Sequence, residues 1–166
     1  MKAFFEEQGA KENVAAVLHQ SGIVYQQQGN YSEAKVRCEQ ALSISGELGD
    51  KHGIAQSLHQ LGNIHYFQGN LEEAQAKYEQ SLVIKVELGN KLGIAQSLGQ
   101  LGRIHEKQGN LGEALKKYGQ VLVLLEQLGS PDAEKTRHYL ARLREEMGEE
   151  AFAAALAEIL QRTEEN

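Results

Sequence analysis

The sequence predicts an all-α array of stacked helical hairpins, and three observations support that fold class. A segment of 40 residues recurs along the chain, and roughly 25 of the 40 positions are identical between residues 51–90 and 91–130. Apolar residues recur at helical spacing throughout, without the alternation that is typical of a strand. The dipeptide Gly-Asn returns at the same place in each copy. Repeats of this length bury their apolar faces against neighbouring copies, which predicts a solenoid.

Each copy predicts two helices. The first helices cover about 11–28, 51–68 and 91–108, and the second helices cover about 31–48, 71–88 and 111–128. Between paired helices, glycine ends one helix, and Asn30, Asn70 or Asn110 caps the next, with glutamate three residues later. A further helix is predicted from about Pro131, a position where a helix tolerates proline, to about Met147. A last helix is predicted over 149–162.

The predicted organisation is a single array over residues 1–166. Its repeats cover 11–50, 51–90 and 91–130, and a C-terminal capping unit covers 131–166. Residues 1–10 align with the end of a second helix, which favours a chain cut from a longer array; a short native N-terminal cap is the alternative. In the first case Phe4 and Phe5 would lie at an open end, where weak self-association is expected.

Composition argues against several functional classes. The net charge is −6 and no basic stripe appears, whereas binding to nucleic acid requires clustered lysine and arginine. The longest apolar run, 121–125, is far shorter than the roughly 20 residues that span a bilayer. The N-terminus has no apolar signal segment, and the single Cys38 allows no disulfide framework. We therefore expect a cytoplasmic protein without nucleic-acid or membrane partners.

No arrangement of residues predicts catalysis or a metal site. His65 and His105 occupy equivalent positions that face the partner helix, where packing is the expected role. His19 and His59 lie one repeat apart and are expected to be neighbours, but no cysteine or carboxylate joins them at ligand spacing. The glycines end helices and form no phosphate-binding loop. We therefore expect no enzyme activity, no catalytic residues, no metal and no cofactor.

The recurring residues resemble the tetratricopeptide repeat, whose signature is W-x₂-L-G-x₂-Y, then A-x₃-F, then P. The three copies supply, in order, Leu18, Ser21, Gly22, Tyr25, Ala34 and Cys38; Leu58, Leu61, Gly62, His65, Ala74 and Tyr78; and Leu98, Leu101, Gly102, His105, Ala114 and Tyr118. Leucine replaces the tryptophan, the proline is absent, and the period is 40 residues in place of 34. This lengthened form is similar to the repeats of the Pins/LGN spindle-orientation adaptors and of bacterial signalling ATPases with helical-repeat sensor regions.

The resemblance implies a right-handed α-solenoid that holds a protein or peptide partner in a concave groove built by the first helices. Carried over position by position, the groove residues are His19, Ile23, Gln26, Gln56, His59, Asn63, Tyr66, Gln96, Gly99, Arg103 and Glu106. Tyr139 and Leu143 would extend the groove in the last unit. Asn63 can pair a donor and an acceptor with a peptide backbone, and Arg103 can bind a carboxylate with two hydrogen bonds.

Several interpretations of the same surface remain open at this point. Gly99, opposite His59, would leave room for a bulky partner side chain, or it reflects drift between copies. The polar face could also be solvated and bind nothing. The favoured function is a protein-interaction scaffold. The alternatives are a regulatory sensor segment of a larger signalling protein and a structural module that self-assembles.

Overall fold

The structure, a computed structural model, describes the backbone of residues 2–164 and the side chains of residues 7–157. Within that part every regular element is a helix. The helices are α1 (Lys2–Gln27), α2 (Tyr31–Leu48), α3 (Lys51–Phe67), α4 (Leu71–Glu87), α5 (Lys91–Lys107), α6 (Leu111–Gln127), α7 (Asp132–Met147) and α8 (Glu149–Glu164). The predicted helices are therefore confirmed to within about two residues from α2 onward. No helix among residues 2–164 is long and apolar enough to cross a membrane.

The predicted start of the first helix at Lys11 is wrong. The helix α1 runs from Lys2 to Gln27 without a break and passes through Gly9, whose φ is not positive. At the six later junctions from Gly29 to Gly129, the glycine is followed by asparagine, aspartate or serine, which are capping residues. Gly9 is followed by Ala10, which cannot cap a helix and strongly favours its interior. The helix therefore continues where repeat alignment predicted a break.

The turns between helices depend on glycine in the left-handed conformation. The glycines that end α1 to α7 have φ values between 60° and 83°. Two of the following asparagines cap the next helix with their side chains: Asn30 Oδ1 accepts from the Glu33 N–H at 3.2 Å, and Asn90 Oδ1 accepts from the Gly93 N–H at 2.9 Å. Asn70 and Asn110 form no such side-chain bond. The predicted caps are thus only partly confirmed.

The chain divides into two compact units, residues 1–89 and 90–166. In unit 1, α1 packs on α2 and α3 packs on α4, and the two hairpins meet through α2 and α3. Its core is formed by Ala34, Cys38, Leu61 and Ile64. In unit 2, α5 packs on α6, and α7 and α8 pack on α6 and on each other. Its core is formed by Ala114, Leu115, Tyr118 and Leu143.

Close approach of the paired helices explains the small residues of the repeat signature. A Cβ atom added to Gly62 would lie 2.8 Å from the ring of Tyr78, which is closer than van der Waals contact allows. A Cβ atom added to Gly102 would lie 2.7 Å from the ring of Tyr118. Both tyrosines are almost fully buried. In both copies the signature glycine therefore packs directly against the aromatic ring of the second helix.

Candidate functional site

In unit 1, one side of the first helices carries a partly buried chain of hydrogen bonds that we call the amide ladder. Its members are Gln26, Gln60, Asn63 and Tyr78. Gln60 Nε2 donates to Gln26 Oε1 at 2.7 Å, and Asn63 Nδ2 donates to Gln60 Oε1 at 3.0 Å. The Tyr78 hydroxyl donates to Asn63 Oδ1 at 2.7 Å. The ladder therefore links α1, α3 and α4 through polar groups and fixes the orientation of the Asn63 amide.

The ladder changes the expected environment of Asn63. The sequence predicts a side chain that faces solvent, whereas Asn63 is half-buried and is held by two neighbours. Gln60 was not among the predicted site residues and is only 6% exposed. The signal that could have found it is recurrence, since glutamine occupies the equivalent position in all three copies, as Gln20, Gln60 and Gln100.

A second cluster in unit 1 surrounds His59. The Nδ1 atom of His59 lies 3.3 Å from Nζ of Lys85, and its ring lies 5.2 Å from the ring of Tyr78. Burial, together with the smaller effects of Lys85 and His19, lowers the pKa of His59 to about 3. His19 is thus a neighbour of His59, as predicted. Burial also lowers the pKa of Lys85, which is only 5% exposed, to about 8.

Lys85 is a site feature that the sequence did not predict. The equivalent residues in the other copies are Ser45 and Leu125, so the position carries no recurring chemical signal. The remaining predicted residues of unit 1 differ in exposure: Gln56 is exposed, His19, Ile23 and Gln26 are half-buried, and Tyr66 is buried. His65, at the signature tyrosine position, is buried against the paired helix, which agrees with its predicted packing role.

In unit 2, charged groups replace much of the amide ladder. Arg103 is half-buried, and its Nη1 donates to Gln100 Oε1 at 3.1 Å. Glu106 accepts a hydrogen bond from the Tyr118 hydroxyl at 2.9 Å and forms an ion pair with Arg142. Burial and the bond to Glu106 both raise the pKa of Tyr118. These contacts hold Arg103 and Glu106 on one side of α5.

Beside these charged groups lies a recess of about 230 Å³, formed by α5, α6 and α7. Gly99 and Gln96 line it from α5, Val121 and Leu125 from α6, and Tyr139 from α7. The ring of Tyr139 is stacked on that of Tyr118, with centroids 5.6 Å apart and planes at 23°. A Cβ atom added to Gly99 would meet no atom within 4 Å, so the missing side chain leaves open space.

One residue expected at this surface lies elsewhere. Leu143 is completely buried in the core of unit 2, so the expectation that it extends the partner-binding face is wrong. The reason is that Leu143 packs with Ala114, Leu115 and Tyr118, on the side of α7 that faces α6. Tyr139 is half-buried and does line the recess. Among the residues whose side chains are described, no group of three or more His, Cys, Asp or Glu could hold a metal ion.

Comparison with protein families identifies the class of this protein. Two family models, both described as tetratricopeptide repeat, match residues 13–85 and 97–132, about two thirds of the 166 residues. The repeat signature and the close glycine–tyrosine packing described above agree with these matches. The chain belongs to the tetratricopeptide repeat family. No curated protein matches the sequence.

Solved structures share the fold at low sequence identity. BtubC (BKLC) from P. vanneervenii is 18% identical, with a TM-score of 0.77 over 91% of this chain and 63% of that protein. A putative kinesin light chain from Podosopora anserina, with nearly identical TPR-like repeats, is 23% identical, with a TM-score of 0.71 over 94% and 77%. The Rap conjugation gene regulator of the plasmid pLS20, in complex with the Phr* peptide, is 21% identical, with a TM-score of 0.72 over 92% and 43%. These similarities show an α-solenoid of the tetratricopeptide type.

Proposed function

We propose that the chain is a protein-interaction scaffold that holds an extended peptide on the exposed side of its first helices. The amide ladder of unit 1 is the observation that carries this proposal. Polar groups that only face water need no fixed geometry, whereas Gln26, Gln60 and Asn63 are ordered by hydrogen bonds from one helix to the next. Such an ordered row of amides lowers the entropy that binding must overcome.

The amide of Asn63 has the chemistry to recognise a peptide backbone. An asparagine side chain carries two N–H donors and two acceptor lone pairs. The ladder uses one donor, towards Gln60, and one lone pair, which accepts from Tyr78. The second donor and the second lone pair can therefore pair with the C=O and N–H of an extended segment. In unit 2, considered by itself, the half-buried guanidinium of Arg103 is suited to a carboxylate, because its planar group can donate two parallel bonds.

Family membership supports an interaction role. The Rap regulator, whose fold is similar, was solved with a peptide bound. The proposal does not depend on that peptide, because identity between the two chains is only 21%. It depends on the ordered polar groups of this chain.

The test uses a phage-displayed library of random dodecapeptides, with selected peptides measured by calorimetry. Asn63→Ala and Arg103→Ala should each weaken binding by about 1–3 kcal/mol, the scale of a lost bidentate or charged hydrogen bond. Arg103→Ala should also reduce the salt dependence of binding, because a screened charge pair is lost. Asn63→Asp keeps the acceptor for the Tyr78 hydroxyl but removes the donor to Gln60, so thermal unfolding of this variant is measured beside its affinity.

Lys77, on the second helix α4, is the control for these variants. Lys77→Ala should leave peptide affinity unchanged. If affinity ignores both Asn63→Ala and Arg103→Ala but responds to Lys77→Ala, the proposed face is wrong. If the library yields no peptide that binds the intact chain, the scaffold proposal itself loses its support.

Four finer interpretations from the sequence remain predictions. A nucleotide-binding domain encoded beside this segment would favour the sensor interpretation and the similarity to bacterial signalling ATPases. The similarity to Pins/LGN adaptors and the cytoplasmic location are equally untested. Self-association was expected through Phe4 and Phe5, which lie outside the residues whose side chains are described. Sedimentation at rising protein concentration tests that expectation, and a strict monomer at millimolar protein would contradict it.

A further inference from the structure

The recess in unit 2 arises from three changes between equivalent positions of the second and third copies. His59, Ser81 and Lys85 of the second copy correspond to Gly99, Val121 and Leu125 of the third. In unit 1 the imidazole of His59 packs on Tyr78 and reaches Lys85, and the Ser81 hydroxyl donates to the carbonyl of Ala55 at 2.7 Å. The second copy therefore fills this position with the contacting side chains of His59 and Lys85, beside a serine bonded to the backbone.

The third copy leaves the same position open and carries apolar residues in place of the polar ones. Gly99 supplies no side chain where His59 supplies a ring, although Tyr118 takes the place of Tyr78. Val121 and Leu125 remove the hydroxyl and the ammonium group, and both line the recess. Here the volume, the hydrogen-bonding capacity and the charge change together at three residues that face the same space.

The size and the wall of the recess match one aromatic ring. An engineered cavity of about 150 Å³ lined by aliphatic and aromatic residues binds benzene, and this recess measures about 230 Å³. Val121 and Leu125 provide the aliphatic surface, and the stacked rings of Tyr118 and Tyr139 provide the aromatic surface. Aromatic pairs favour offset or edge-to-face contact with rings 4.5–7 Å apart, an arrangement to which a third ring can be added.

The rim of the recess is polar, so a ring bound there should carry a polar group at its edge. The carboxylate of Asp132 and the amide of Gln96 both line the recess, and each can accept a hydrogen bond. We propose that the recess binds one aromatic side chain of the partner peptide, a tryptophan or tyrosine whose N–H or O–H donates to the polar rim. This inference rests on the proposed scaffold function and specifies the side chain that such a partner presents to unit 2.

The direct test uses capped tripeptides as probes and the intact chain as the receptor. Ac-Gly-Trp-Gly-NH₂ and Ac-Gly-Tyr-Gly-NH₂ should shift backbone amide resonances near Gly99, Val121 and Tyr139, with dissociation constants of about millimolar. The phenylalanine analogue should bind more weakly, because it has no donor for Asp132 or Gln96. The leucine analogue should bind more weakly still, since it lacks the ring.

Substitution of Gly99 tests whether the probes bind in the recess or elsewhere on the same face. Gly99→His copies the second repeat and should weaken binding of the tryptophan probe by about 10- to 100-fold by filling the recess. Gly112→His is the matched control, because Gly112 is exposed on α6 with nothing near its Cβ position and lies outside the recess. Thermal unfolding of both variants verifies that the fold persists.

The outcomes of this test distinguish a failure of the aromatic assignment from a failure of the scaffold proposal. Equal binding of the tryptophan and leucine probes, or unchanged binding to Gly99→His, overturns the aromatic assignment. Selected peptides that depend on Asn63 and Arg103 but show no aromatic preference would leave the scaffold proposal standing and remove this one. Tryptophan binding that is lost in Gly99→His and kept in Gly112→His supports the assignment.

Discussion

Two glycines one turn apart on α5 have opposite surroundings. A methyl group at Gly102 would collide with the ring of Tyr118, whereas a methyl group at Gly99 would enter open space. Neither residue has a positive φ, so alanine suits the backbone at both positions. The difference between them is therefore one of packing alone. Gly102 allows two helices to approach, and Gly99 leaves a recess at the exposed side of the same helix.

This contrast predicts opposite effects on stability. Gly102→Ala should lower the free energy of unfolding by about 1–3 kcal/mol, because overpacking displaces the buried tyrosine. Gly99→Ala should raise it by about 0.5–1 kcal/mol, because alanine is the better helix former. Urea unfolding of the two variants measures both values. Destabilisation of similar size in both would show that Gly99 is also a packing residue.

The cluster around His59 gives the stability of the chain a defined dependence on pH. In the folded chain burial lowers the pKa of His59 to about 3, whereas an unfolded histidine titrates near 6.5. Between these values the unfolded chain binds a proton that the folded chain does not, so stability falls as the pH falls. Urea unfolding from pH 7 to pH 4 should show this loss, and His59→Gln should reduce it. His52→Gln, at an exposed position on the same helix, is the control, and an equal reduction there would contradict the assignment.

At the scale of the helix, equivalent capping residues do not act equivalently. Asn30 and Asn70 have nearly the same backbone angles, yet only Asn30 accepts a hydrogen bond from the backbone of the following helix. Asn30→Ala should therefore lower the free energy of unfolding by about 0.5–2 kcal/mol, the usual cost of a lost cap. Asn70→Ala should cost clearly less. Urea unfolding compares the two within unit 1, and equal losses would show that the side-chain bond contributes little.

The helices of this chain were predictable because their signals are local. The apolar period places each helix, and glycine followed by a capping residue places each end, which is why α2 to α7 lie where expected. The start of α1 differs from the expectation because Ala10, unlike the residues after the later glycines, cannot cap a helix. At that junction, the capping ability of the residue after the glycine predicts the helix boundary better than alignment with the other repeats does.

The site was less predictable than the helices, because it depends on contacts between distant positions. The pattern indicated Asn63 as a groove residue of α3, but it gave no sign of the bond from Tyr78 that orders its amide. Gly99 indicated open space, whereas the apolar lining from α6 and α7 emerged only from packing. Lys85 had no recurring signal at all. The position of a residue within a repeat predicts the side of the helix on which it lies. The environment of its side chain is determined by contacts with residues that are distant in the sequence.

At the scale of the whole chain, stability is distributed over hairpins that contact their neighbours. In unit 1, α3 packs against α4, α2 and α1, whereas α1 packs against α2 and α3. A residue on α3 therefore has partners in both hairpins of the unit. Arrays of this kind derive much of their stability from interfaces between adjacent repeats, so the cost of a substitution depends on its place along the array.

Equivalent leucines of the three copies provide the test of that dependence. Leu58 and Leu98 are 6% and 7% exposed, whereas Leu18 is only half-buried. Leu58→Ala and Leu98→Ala should each lower the free energy of unfolding by about 2–5 kcal/mol, since each leaves a cavity in a packed seam. Leu18→Ala should cost less, because part of its side chain is already in water and less apolar area returns to water on unfolding. Urea unfolding of the three variants, followed by circular dichroism, measures the order. Equal shifts of the midpoint for all three would contradict an array in which burial, and hence stability, depends on neighbouring repeats.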